Sequence, residues 1–222
     1  MTAAGIHRPP PGAASDPAAR RAVAPLRLAR LYLVSRRAPA ALGLLAALGG
    51  LLWAGLHWHW NVAGGAAARQ FLPLVIETGT AAVIAVTTYG PFGEPERATG
   101  RWLPLLRLGA AVALTAAAVG GLAAGATGGY LPGGTLAMLR NVAGLTGTGL
   151  LSAAVLGGAF AWAGPMAYLL VTEGALSAAW TTPWVWPARP PHDLGGALCA
   201  ALAFAAGLVL ITLRGARVSA RE

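Results

Sequence analysis

Three ionisable side chains stand inside otherwise apolar stretches of this 222-residue chain: Glu77, Arg140 and Glu173. Near the centre of a bilayer a charge costs about 2.5–3.5 kcal/mol on insertion scales, so it normally faces a partner or a wet cavity. Arg140 can pair with Glu77 or with Glu173, and the neighbouring Asn141 can add a hydrogen bond. Such a set serves either as a substrate path or proton relay, or as an ion pair that fixes helix register.

Other chemistry is sparse. In His57-Trp58-His59-Trp60 two histidines at i and i+2 could hold a metal, but no nearby carboxylate or cysteine completes a shell. Trp favours the membrane–water interface, so this cluster reads first as an interfacial belt. The single Cys199 provides neither a disulfide framework nor a cysteine zinc site. The sequence has no G-x-x-x-x-G-K-[ST], H-E-x-x-H or G-x-S-x-G motif, so no catalytic residue, metal or cofactor is expected in this chain.

The elements that must position these residues follow from composition. Only 10% of the residues are charged and 56% are hydrophobic, whereas a soluble domain carries about 25% charged residues. The charges cluster in 1–37, 90–107 and 214–222. Between the clusters run apolar segments of about 20 residues, the length that crosses a hydrocarbon core of ~30 Å as a helix. The expected fold is all-α: a polytopic membrane bundle of six transmembrane helices near 38–58, 70–89, 103–126, 136–158, 160–180 and 195–213.

Residues 1–24, rich in Pro, Ala and Arg, read as a disordered cytoplasmic tail. In 25–37, Leu26, Leu28, Leu31, Tyr32 and Leu33 interleave with Arg27, Arg30, Arg36 and Arg37. That pattern gives either a basic amphipathic helix on the membrane surface or a flank that orients the first span. Residues 214–222 form a second short tail.

All 16 basic residues are Arg, and the net charge is +9. An Arg excess can signal nucleic-acid binding, but here its distribution speaks for orientation and no nucleic-acid partner is expected. Placing both termini in the cytoplasm puts thirteen Arg inside, against Arg69 and Arg189 outside. Cytoplasmic loops retain Arg, so the expected topology is N-in, C-in in a bacterial plasma (inner) membrane.

Small residues stud the spans. Gly121 and Gly125 form a G-x-x-x-G, and Gly144, Gly147 and Gly149 accompany Thr146 and Thr148 in the fourth span. Small residues let helix backbones approach closely, which predicts a tight bundle with a possible self-association face. Trp180, Trp184 and Trp186, interspersed with Pro183, Pro187, Pro190 and Pro191, predict an interfacial or re-entrant hairpin before the last span. The 90–107 loop, with Glu94, Glu96, Arg97, Arg101 and Arg107, presents either a small polar helix to a cytoplasmic partner or an ordinary solvated loop.

The layout resembles the membrane subunit of an ABC-2 type exporter. Pro25–Arg37 occupies the place of that family's amphipathic connecting helix. Phe92–Trp102, containing Glu94-Pro95-Glu96-Arg97 and Thr99-Gly100, occupies that of its coupling helix. The stretch 180–191 occupies that of its outer helices. The resemblance implies a permease subunit that binds no ATP and pairs as a homodimer or with a paralogous permease. Hydrolysis would then occur in separate cytoplasmic ABC ATPase subunits. Glu94, Glu96, Arg97 and Arg101 would contact the ATPase, Arg27 and Arg30 would steady the surface helix, and the cargo would be hydrophobic or amphipathic. Two other readings stay open on the residues alone: a non-transporting scaffold or assembly protein, and an ion-coupled carrier using Glu77, Arg140 and Glu173.

Overall fold

The computed structural model describes residues 38–58, 66–87, 102–180 and 182–214. They form six α-helices: α1 (Ala38–His57), α2 (Ala66–Thr87), α3 (Trp102–Gly125), α4 (Gly134–Val155), α5 (Ala163–Ser177) and α6 (Leu194–Arg214). Short 3-10 turns, Gly158–Phe160 and Trp186–Ala188, lie in the α4–α5 and α5–α6 connections. No strand occurs among the described residues. The 1–24 tail, the 25–37 helix with Arg27, Arg30, Arg36 and Arg37, and the loop residues Glu94, Glu96, Arg97 and Arg101 lie outside them. So do His59, Trp60 and the tail from 215 onward.

Each helix falls on one of the six apolar segments, and successive helices run in opposite directions. At one end, Leu52 of α1, Leu122 and Ala126 at the end of α3, and Met138 and Val142 near the start of α4 pack with Ile76 of α2. At the other end, Ala85 of α2 and Ala111 of α3 meet Leu150 and Ala153 of α4, Ala161 and Ile211 of α6.

Three helices are long and apolar enough to cross a membrane: α1, α3 from Pro104 onward, and α6. Their outer faces are bare leucine and valine, among them Leu44, Leu51, Leu108, Leu198, Leu202 and Leu213. Two of the other helices depart from that pattern for visible reasons: helix α5 has 15 residues, and α4 carries Arg140, Asn141 and a run of Gly and Thr. In exchange, α2 and α4 bury polar groups: Glu77, Thr78, Thr80, Arg140, Asn141 and Thr146 all lie inside the bundle. Apolar outside and polar within is the arrangement a lipid solvent selects.

Helix α4 is the hub, packing most extensively on α6, then on α2, and touching α3 and α5 as well. Its glycines explain why. A Cβ at Gly147 would collide with the main chain of Ala203 and Phe204, and one at Gly207 would stand 2.6 Å from the Gly147 carbonyl oxygen. Likewise a Cβ at Gly149 would stand 2.6 Å from that of Ala85. In lipid, where hydrophobic burial does little to join helices, such backbone-to-backbone contact supplies the packing energy. The G-x-x-x-G of α3 is used within the chain too: Gly121 and Gly125 face Gly49 of α1, where a Cβ would meet the Gly121 carbonyl oxygen at 2.9 Å. Gly133 and Gly134, at φ 75° and 68°, turn the chain sharply into α4, a backbone state that glycine adopts without a Cβ clash.

Candidate functional site: the Glu77–Asn141 cavity

Four turns of sequence logic converge where α2, α4, α5 and the α5–α6 connection meet. Pro73 lacks a backbone N–H and so interrupts the hydrogen-bond ladder of α2 one turn before Glu77, on the same helix face. Opposite, α4 presents Ala137 and Asn141, again one turn apart. Between them lies a cavity of about 240 Å³, completed by Leu74, Leu176, Pro132 and the 187–191 stretch. At ~30 Å³ per water it has room for about eight waters.

Glu77 and Asn141 both line this cavity and are 4% and 7% exposed. The Asn141 amide Nδ2 donates to Glu77 Oε2 at 3.0 Å, joining α4 to α2. That bond leaves Asn141 Oδ1 buried without a hydrogen-bond partner. The pair therefore presents acceptors: a carboxylate and an amide carbonyl.

Arg140 does not form the ion pair expected from the sequence. Its Nη1 donates to the Pro190 carbonyl at 2.7 Å and its Nη2 to the Arg189 carbonyl at 2.9 Å. The reason is local. Asn141 takes up Glu77, while residue 140 points one position round α4 toward a proline-rich stretch whose carbonyls have no helical N–H to accept from. Glu77 and Asp193 act on the guanidinium through space, and Glu173 is no partner of it. Glu173 sits half-buried on α5 with Oε1 lacking a partner. The structure thus brings Glu77 and Asn141 together, sets Arg140 against the connection, and leaves Glu173 apart.

The connection is fastened at three further points. Arg189 Nη2 donates to Asp193 Oδ1 at 2.8 Å, and the Gly196 N–H donates to Asp193 Oδ2 at 2.7 Å. Asp193 is therefore the N-cap of α6. The Arg189 guanidinium first, and the Gly196 amide second, hold the Asp193 carboxyl down to about 2, and Asp193 in turn raises Arg189. Trp186 is 4% exposed and stacks on Tyr168 with ring centroids 4.4 Å apart. It lies in the space left by Gly144, where a Cβ would come within 2.6 Å of the indole. The Tyr168 hydroxyl donates to the Trp184 carbonyl. By contrast Trp180 and Trp184 are each 47% exposed.

Sequence reasoning passed over Asp193 and Tyr168. For Asp193 a signal exists, since an aspartate directly before the apolar run 194–213 is an N-cap pattern. For Tyr168 none does, because its partner is a main-chain carbonyl sixteen residues away.

At the same end of the bundle His57 stacks on Trp53 with centroids 4.7 Å apart, its Nδ1 2.9 Å from the Trp53 carbonyl oxygen. Trp58 is 67% exposed. Among the described residues no group of three or more His, Cys, Asp or Glu is arranged to hold a metal. No known protein family, curated protein or solved structure matches this chain.

Proposed function

We propose that this chain is a six-span permease of a cell membrane, with both termini in the cytoplasm and the Glu77–Asn141 cavity facing outward. One observation carries the reading: a carboxylate and an amide are buried at a cavity of about 240 Å³ inside a bundle whose outer helices bear leucine. An intramembrane carboxylate is costly, and a cavity beside it is where such a cost has a use. The Arg distribution supports the orientation, since the cavity end holds Arg189 while the Arg-rich segments 1–37, 90–107 and 214–222 adjoin in sequence the opposite ends of α1, α2, α3 and α6.

The resemblance to ABC-2 exporters supports a partner ATPase as the source of energy, with Glu94, Glu96, Arg97 and Arg101 as its contact and a second permease copy or paralogue completing the path. ATPase copurification with the tagged chain from native membranes tests this form. Binding that is lost on exchanging Glu96 and Arg97 (Glu96→Arg with Arg97→Glu) is the expected result; an eluate free of ATPase sinks it. The buried Glu77 specifically favours a second form, an ion-coupled carrier that works alone. Its signature is transport by the purified chain in liposomes, abolished by Glu77→Gln.

A further inference from the structure

We propose that the Glu77–Asn141 cavity binds the protonated amino group of a small amphipathic amine. The inference deepens the permease reading by naming its substrate class, and it stands on the acceptor chemistry of the site. Glu77 and Asn141 are each more than nine-tenths buried, and both line the cavity. The only hydrogen bond between them uses the amide N–H, so Asn141 Oδ1 stays unpaired and the Glu77 carboxylate accepts one bond from this partner. Of the nearby guanidinium groups, Arg140 gives both its Nη atoms to the 189 and 190 carbonyls, with its Nε buried and unpartnered, and Arg189 gives an Nη to Asp193.

The ligand class follows by elimination on chemistry. An anion would meet the acceptor oxygens of Glu77 and Asn141. A dehydrated metal cation is usually held by several charged ligands, and the cavity lining offers one carboxyl group, Glu77, with no cluster of three or more His, Cys, Asp or Glu among the described residues. A primary ammonium has three N–H donors and one positive charge, which suits a carboxylate and an unpaired amide oxygen. The rest of the lining is Pro73, Leu74, Ala137, Leu176, Pro187 and their neighbours, which suits an apolar body behind the amino group.

The test uses the full-length chain in detergent micelles with benzylammonium chloride as probe, read by thermal stabilisation and by tryptophan fluorescence. Benzyl alcohol, of similar shape but neutral, and tetramethylammonium, charged but without N–H, are the comparisons. Saturable benzylammonium binding is expected, with both comparisons at least about tenfold weaker, because charge-assisted hydrogen bonds provide the selectivity. Glu77→Gln should weaken the amine about tenfold or more while leaving benzyl alcohol unchanged. Equal binding of benzyl alcohol and benzylammonium, or full amine affinity in Glu77→Gln, overturns the proposal. Should Glu77→Gln not fold, Ala188→Phe fills the cavity from the connection without touching the carboxylate, and undiminished amine binding by that variant overturns the proposal equally. Liposome flux separates the two readings. Binding without transport sinks the permease and keeps the site, whereas transport with no amine selectivity sinks the site and keeps the permease.

Discussion

Helices α4 and α6 lie side by side and bury opposite kinds of surface. Helix α6 turns Leu198, Leu202, Val209 and Leu213 outward and meets its neighbours through Gly196, Ala200, Gly207 and Ile211. Helix α4 has buried residues on every side, including Arg140, Asn141 and Thr146. The pair teaches how a bundle can be made for lipid. Apolar bulk goes on the rind, where it costs nothing to display, and the interior is joined by small residues and a few directed hydrogen bonds. Hydropathy alone therefore ranks the two helices in the wrong order of structural importance, since the hub is the less apolar of them.

Substitutions at glycine break this comparison most sharply. Gly147→Leu drives a side chain into the α6 main chain and should destabilise the bundle by about 3 kcal/mol or more, since backbone cannot step aside as a rotamer does. Thermal unfolding of the purified chain in detergent reads it, and an unchanged midpoint refutes the α4–α6 contact. Next in size is Arg140→Met, which strips two carbonyls of their charged donor and should cost about 2 kcal/mol. Proteolysis should then open first within 178–193; cleavage confined to other connections argues against the clamp.

A smaller, local effect is expected at Asp193. Its carboxyl titrates near 2 when folded, below the ordinary aspartate value of 3.8, so its contribution is complete above about pH 4 and disappears as pH falls toward 2. Amide exchange at Gly196 and the first turn of α6 should quicken over that window in the wild type and be pH-independent there in Asp193→Asn. Smallest of all is Gly50→Leu on the open face of α1, where a Cβ meets nothing within 4 Å. It should shift stability by no more than about 0.5 kcal/mol. A large loss there would mean that this face is covered by something in the membrane.

Helix placement was legible because run length and breakers are local properties. The segment expected at 38–58 is Ala38–His57 and that at 103–126 is Trp102–Gly125, each preceded in the sequence by an arginine. The pairing of Glu77 with Asn141 was half legible: both residues were conspicuous as polar groups in apolar runs, but no local signal said that the amide rather than the adjacent Arg140 reaches the carboxylate. Arg140 finds its partners 49 and 50 residues away on main-chain carbonyls, which leave no mark in a sequence. The three tryptophans of the hairpin make the same point. Trp186 is inside and Trp180 and Trp184 outside because Gly144, on another helix, leaves room for only one of them.

The contact of Gly147 with Gly207 also has a mechanical side. Where the two helices touch through main chain, at Gly147 and Gly207, little side-chain bulk lies between them to act as a compliant layer, so this contact joins α4 and α6 stiffly. The cavity's roof is fastened to both helices, to α4 through Arg140 and to α6 through Asp193. In the opposite wall Pro73 has loosened α2 one turn from Glu77. Any widening of the cavity would therefore have to part the Asn141–Glu77 hydrogen bond and strain the close Gly149–Ala85 contact between α4 and α2.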